Sequence, residues 1–442
     1  MPPSTASAKL GARPAIGLAR IVRGVGVCVL PVLMSLYVAA TTFTAGTFVP
    51  WEPIMVDLDV YRRAGSVLLG GGNFYVLPGP LQFLYPPFAA VLAVPLAVLP
   101  PTVVQIGWTA AGALALLAVL YRFGLNGWVL SLIGTAVIYF VEPVVQTLAF
   151  GQLGIFLVAL VVLDLAPGPR LFRRRLPQGT LTGLAAAIKL TPAIFVLYLL
   201  AAGKRRAFGV AVVVGLGVTL ISAAVVPQAS YEFWSRLAHG DTGLGHSLIY
   251  WTNQSVMGDV VRIFGLGRTV AIGGLIACGI VALVGVWAAV LWHRIGDVRL
   301  AVNLCGIAGL LASPVSWQHH FVWIVPLAMS LAERGRGDSG APRLPGWLLT
   351  LGWAFVGWVI AITSAISGVA RSPFRRLPNG ADLELYWTWS QHLRASVTAI
   401  LGLALIAGAI VVAQQHRLSG RRLVGPSPLR VEEPDDHGRP PQ

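Results

Sequence analysis

Stretches such as Thr269–Trp292, Gly346–Ile366 and Ser396–Ala413 run for about twenty residues without a charged side chain, enough to cross a bilayer core of about 30 Å as helix. The same pattern recurs along nearly the whole chain. Charged residues are 11% of the sequence and hydrophobic ones 56%, so a water-facing surface of ordinary polarity cannot be assembled from it. The alternation of polar and apolar residues that marks a transmembrane barrel is missing, which leaves helices as the spanning form. An all-α integral membrane protein is expected.

The net charge of +15 does not point to nucleic acid. Its bases sit in short loops beside apolar spans, at Arg122, Arg170 to Arg175, Lys204 to Arg206, Arg294 to Arg299, Arg334 to Arg343 and from Arg417 onward. The positive-inside rule places such loops in the cytoplasm. With Lys9, Arg13, Arg20 and Arg23 also inside, the first apolar run is an uncleaved signal anchor. Spans then follow at 25–45, 102–121, 127–142, 152–166, 178–188, 191–203, 207–227, 269–292, 299–313, 320–332, 346–366 and 395–414. That threading gives about twelve crossings and two cytoplasmic termini, provided that the short, Pro-rich run Tyr85–Leu99 stays at the outer surface. Residues 1–24 form a basic cytoplasmic terminus, 25–414 the membrane domain and 415–442 a disordered tail.

Two spans, 178–188 and 191–203, are too short to cross singly. Between them stands Lys189-Leu190-Thr191-Pro192, expected as the tip of a broken hairpin with Lys189 near the outer face. Cys28, Cys278 and Cys305 lie inside apolar runs, with neither a disulfide framework nor zinc spacing.

With this sidedness the unusual polar residues collect in the outer loops. The first holds Val56-Asp57-Leu58-Asp59-Val60-Tyr61, followed by Tyr85-Pro86-Pro87-Phe88. The second holds Glu142-Pro143 and Gly151-Gln152. Later come His239, Asp241, His246 and Asn253-Gln254-Ser255, then Ser313-Pro314-Val315-Ser316-Trp317-Gln318-His319-His320, and last the segment from Ser367 to about Arg394. Ionisable groups gathered at one membrane face mark a candidate site. A carboxylate there can act as a base, and Lys189 with the histidines can stabilise an anion such as a phosphate. Blander roles compete: Asp57 and Asp59 as loop solvation, Lys189 as a snorkelling side chain, and the His pair as interfacial caps. Neighbouring histidines on a helix diverge by about 100°, so the pair is unsuited to one metal ion.

These motifs, in this order, resemble the polyprenyl-phosphate-sugar-dependent mannosyltransferases of glycosyltransferase family 87, over about residues 50 to 332. The resemblance implies a membrane fold of the GT-C type and inverting transfer of mannose from a polyprenyl-phosphate-mannose donor to a glycolipid acceptor. The product would be an α-(1→2)-mannoside of phosphatidylinositol mannosides or of lipomannan and lipoarabinomannan. It maps the catalytic aspartate onto Asp57 and a phosphate-supporting histidine onto His319 or His320. Lys189, Gln152, Asn253, Gln254, Tyr85 and, as a second choice, Asp59 are the remaining substrate-binding candidates. No cofactor, metal or nucleic acid is expected; the partners are the donor lipid, the acceptor and membrane lipids. The site would face outward from the plasma membrane. An arabinofuranosyltransferase using a polyprenyl-phosphate arabinose is the neighbouring alternative. A lipid or glycan transporter is the alternative without chemistry, and the absence of matching interrupted repeats weighs against it.

Overall fold

The computed structural model describes residues 18–42, 55–77, 81–171, 176–240, 248–336, 343–363 and 382–423. These residues form helices joined by short turns; the one pairing of extended backbone is an isolated bridge between Asn253 and Trp317. In chain order the helices are α1 (Leu18–Thr41), α2 (Val56–Leu69), α3 (Pro87–Val98), α4 (Pro101–Arg122), α5 (Gly127–Phe140), α6 (Glu142–Phe150) and α7 (Gly154–Leu165). Then come α8 (Thr180–Ile188), α9 (Ile194–Ala201), α10 (Arg205–Val225), α11 (Pro227–Ala238), α12 (Val256–Phe264) and α13 (Arg268–Ile295). The last are α14 (Val298–Ala312), α15 (Ile324–Arg336), α16 (Gly346–Thr363) and α17 (Trp389–Leu423). Residues 1–17 and 424–442, with Asp241, His246 and the stretch 364–381, lie outside the described residues.

Proline sets many of the boundaries. Lacking an N–H, it is suited to the first turn, and it opens α3, α4 and α11. Between α5 and α6 the chain turns by 79° where Glu142-Pro143 follows Val141. At Thr191–Ala193 a single 3-10 turn containing Pro192 separates α8 from α9, so the expected break lies where Pro192 stands.

Each expected apolar segment contains a helix, and by length these helices divide into two groups. Five helices are long and apolar enough to cross a bilayer: α1, α4, α10, α13 and α17. The bent pair α5–α6 makes a sixth if it counts as one span. The run 85–99 forms the short helix α3, and α17 continues to Leu423, beyond the expected end of the last span at 414. Helices α2, α6, α11 and α12 lie in stretches expected as loops. Their sequences mix polar and apolar residues, and in α2, α6 and α12 burial against neighbours rather than span length favours the helix.

Outward-facing side chains are those of a lipid-bathed surface. On α10, Val213, Leu216, Leu220, Ile221 and Val225 are all exposed, a continuous apolar face that water would not tolerate. Inside, small residues let backbones meet. A Cβ at Gly183 would stand 2.4 Å from the Ala211 carbonyl oxygen where α8 crosses α10, and one at Gly65 would stand 2.7 Å from that of Ala93 where α2 lies on α3.

Polar ties gather at the opposite ends of the same helices. Arg122 donates to the carbonyls of Ala166, Gly168 and Pro169. Arg299 donates to those of Pro167 and Arg122 and pairs with Glu333. Arg334 forms a buried ion pair with Asp297, whose other oxygen caps α14 at the Leu300 N–H. Asp164 closes the start of α8 by accepting from the backbone of Gly179 and Thr182. Several loops read as basic and inner thus cluster at one end of the bundle, away from the residues described next.

Candidate functional site

Helix α2 begins with a rare conformation. Met55 precedes it at φ 61°, ψ 56°, in the left-handed region that a non-glycine residue seldom occupies. The chain enters sharply, and Asp57 falls in the first turn, where the exposed N–H groups favour a carboxylate. Gly151, at φ 71°, closes α6 directly over this turn; its missing Cβ would stand 2.5 Å from Leu58 Cβ and 3.3 Å from Met55 Cβ. Glycine is required there on both counts, and it brings Gln152 beside Asp57.

Gln152 is held from two sides. Its Oε1 accepts from Tyr61 Oη at 3.1 Å and from Tyr85 Oη at 3.3 Å, with the two phenols 3.0 Å apart. The amide oxygen therefore faces the tyrosines, and the N–H side is left for its hydrogen bond to Asp57. Tyr61 lies four residues after Asp57, one turn along the same face of α2. That spacing was visible in the sequence, although Tyr61 was not among the expected site residues.

Across from this group stands Lys189. It ends α8 in an extended conformation (φ −147°, ψ 137°) just before the 3-10 turn. Its Nζ lies 3.2 Å from His320 Nε2 and 5.3 Å from the centre of the Tyr85 ring. Burial pushes the Asp57 carboxyl up to about 6, against the hydrogen bond from Gln152 and the charge of Lys189. Burial likewise brings the Lys189 ammonium down to about 8, against the charge of Asp57.

A short 3-10 turn, Gln318–Trp323, carries both histidines, and their rings meet edge to face with centres 4.7 Å apart. His320 Nδ1 accepts the Trp317 N–H at 3.2 Å, which fixes the ring with Nε2 toward Lys189. His319 instead lies against Phe150, with ring centres 5.1 Å apart, and its carbonyl accepts from Thr147 Oγ1 at 2.8 Å.

Other candidates are placed elsewhere. Asn253 spends its amide on the protein: Nδ2 donates to the carbonyls of Leu248 and Pro314, and Oδ1 accepts from Ser255 Oγ and the Ser316 N–H. With the Gln254 N–H donating to the Ser316 carbonyl, this motif straps the segment 314–317 in place and so positions the histidines. Gln254 donates to the Trp251 carbonyl and leaves its buried Oε1 without a partner. Asp59 is engaged with Arg63 at 2.7 Å. Glu142 is buried at the start of α6, where its Oε1 accepts from Gln146 at 3.2 Å. Among the described residues no three His, Cys, Asp or Glu side chains are gathered as a metal site.

The arrangement pairs a carboxylate near neutrality with a cation and an imidazole across a shared space. It can withdraw a proton on one side and support a departing anion on the other. Comparison with known proteins agrees with such transfer chemistry. The chain is 28% identical over 407 residues to a Mycobacterium tuberculosis protein named polyprenol-phosphate-mannose-dependent alpha-(1-2)-phosphatidylinositol mannoside mannosyltransferase, covering 83% of this chain and 88% of that protein. It is 33% identical over 346 residues to a Mycolicibacterium smegmatis protein named polyprenol-phosphate-mannose-dependent alpha-(1-2)-phosphatidylinositol pentamannoside mannosyltransferase, covering 74% of this chain and 82% of that one. No solved structure matches the chain. The model of glycosyltransferase family 87 matches residues 83–314, a stretch that takes in Tyr85, Gln152, Lys189, Asn253 and Gln254. A match over half of the sequence, joined to relatives alike along most of their length, makes this chain a member of glycosyltransferase family 87.

Proposed function

We propose that the protein transfers mannose from polyprenyl-phosphate-mannose to a mannosylated phosphatidylinositol glycolipid, forming an α-(1→2) linkage with inversion. The observation that carries this reading is the placement of Asp57, held by Gln152, opposite Lys189 with His320. In the step, the acceptor hydroxyl oxygen bonds to the anomeric carbon from the face opposite the phosphate. Asp57 takes the hydroxyl proton. The bond from the anomeric carbon to the phosphate oxygen breaks, and its electron pair leaves with the polyprenyl phosphate. Lys189, with His320 beside it, balances that charge. Tyr61, Tyr85 and Gln152 hold the carboxylate in line.

The membrane setting belongs to the same proposal. The basic loops tied together at one end of the bundle lie in the cytoplasm, and the site at the other end faces outward from the plasma membrane. With the short helices crossing alongside the long ones, residues 25–414 make about twelve crossings between cytoplasmic termini. A lipid-linked donor supplies an activated sugar on that face without a nucleotide.

The test is transfer by the purified protein in lipid nanodiscs, with polyprenyl-phosphate-mannose and phosphatidylinositol mannosides. An α-(1→2)-mannosylated product is expected. Transfer from polyprenyl-phosphate-arabinose with none from the mannose donor would move the protein to the arabinosyl branch.

A further inference from the structure

Gln318 is 1% exposed, and neither its Oε1 nor its Nε2 has a hydrogen-bond partner. Next to it His319 is 9% exposed, and its Nε2 is also without a partner. Three polar atoms of neighbouring residues are shielded from solvent and unsatisfied, on a turn where groups on either side are engaged. Ser316 donates to Leu310, Trp317 to His320, and the His319 carbonyl accepts from Thr147. A buried amide left in this state weakens the fold, and natural interiors keep few of them. Its retention beside the site calls for a ligand.

The chemistry of that ligand follows from the donor set. A neutral amide offers two donors and two acceptors, and an imidazole one more polar atom. Neither brings a fixed charge, unlike Lys189 across the site. Such a set matches vicinal hydroxyls, each of which both donates and accepts, better than it matches a phosphate. Position selects the sugar. His319 packs on Phe150, the residue before Gly151-Gln152, and Gln152 holds Asp57. The His319 ring also meets that of His320, 4.7 Å away, which faces Lys189. The orphaned atoms thus stand between the base and the group that serves the phosphate, where the reacting sugars must lie.

We infer that Gln318 and His319 form the hydroxyl-binding subsite for the acceptor's terminal sugar, seating it so that the attacking hydroxyl meets Asp57. This rests on the transferase reading above, with His320 rather than His319 serving the leaving phosphate. The subsite exchanges fold stability for recognition, because the same amide that binds a diol is a buried liability without one.

The experiment uses the full-length protein in nanodiscs with a phosphatidylinositol mannoside acceptor and polyprenyl-phosphate-mannose. Gln318→Leu is expected to raise the acceptor KM at least tenfold, to leave the donor KM within twofold, and to leave Tm equal or higher. His319→Phe keeps the ring against Phe150 and should give the same split, whereas His319→Gln, which restores a polar atom near the Nε2 position, should recover most of the loss. An unchanged acceptor KM in Gln318→Leu, or a rise confined to the donor KM, overturns the subsite. So does a lowered Tm in Gln318→Leu, which would show the amide to be structural. An inactive wild-type protein would instead defeat the transferase reading, so the two failures are distinguishable.

Discussion

Gly151 sits so close to Leu58 that a single added carbon would stand 2.5 Å from the leucine Cβ. This contact couples the end of α6 to the first turn of α2, and through it Gln152 to Asp57. Gly151→Ala must leave the left-handed region or strain there, at about 1–2 kcal/mol, and overpacking adds about 1–3 kcal/mol more. A lower Tm in a thermal melt and at least tenfold slower transfer are expected. Wild-type activity would show the contact to be dispensable.

Asp57→Asn keeps the shape of the side chain and removes the base. A fall in kcat of about 10²- to 10⁴-fold is expected, the usual worth of a positioned base. Transfer from radiolabelled donor measures it.

The pH profile follows from the same carboxyl. Transfer needs it ionised, and its titration lies at about 6. Below that value the rate should fall tenfold per pH unit, and above it the rate should level until another group titrates. Lys189 favours the ionised form, so Lys189→Met should move the acid limb to higher pH. A limb that moves to lower pH would contradict the electrostatic pairing.

Lys189→Ala should raise the donor KM about 10- to 100-fold, the range for a lost hydrogen bond to a charged group, and affect the acceptor KM much less. His320→Leu should act in the same direction. Steady-state kinetics with each substrate varied in turn separate the two.

Sidedness is open to cysteine labelling in whole cells. His239 and Arg170 are both exposed in loops at opposite ends of the bundle. After Cys28, Cys278 and Cys305 are replaced by alanine, an impermeant maleimide should reach His239→Cys and not Arg170→Cys. The reverse pattern would invert the topology.

Much of the architecture was legible in the residues alone. Runs such as Thr269–Trp292 are local signals, since one helix of sufficient apolar length satisfies its own backbone wherever it lies. Pro192 likewise marked the break between α8 and α9 without help from distant parts. The short helices α2 and α6 were not legible, because their stability comes from neighbours rather than from periodicity. The site divides along the same line. Polar residues between the apolar runs, Asp57 and Lys189 among them, stood out in the sequence because they are rare in such a chain. Their pairing did not. Gln152 meets Tyr61 across 91 residues, Lys189 meets His320 across 131, and Thr147 meets His319 across 172. Only packing brings such groups together, so only the tertiary structure assigned His320 to the lysine, turned Asn253 into a strap and left Gln318 and His319 with unsatisfied atoms. Composition and local order determined that this is a helical membrane protein whose unusual polar residues fall between its apolar runs. Which of those side chains share a site was decided by contacts between segments far apart in the chain.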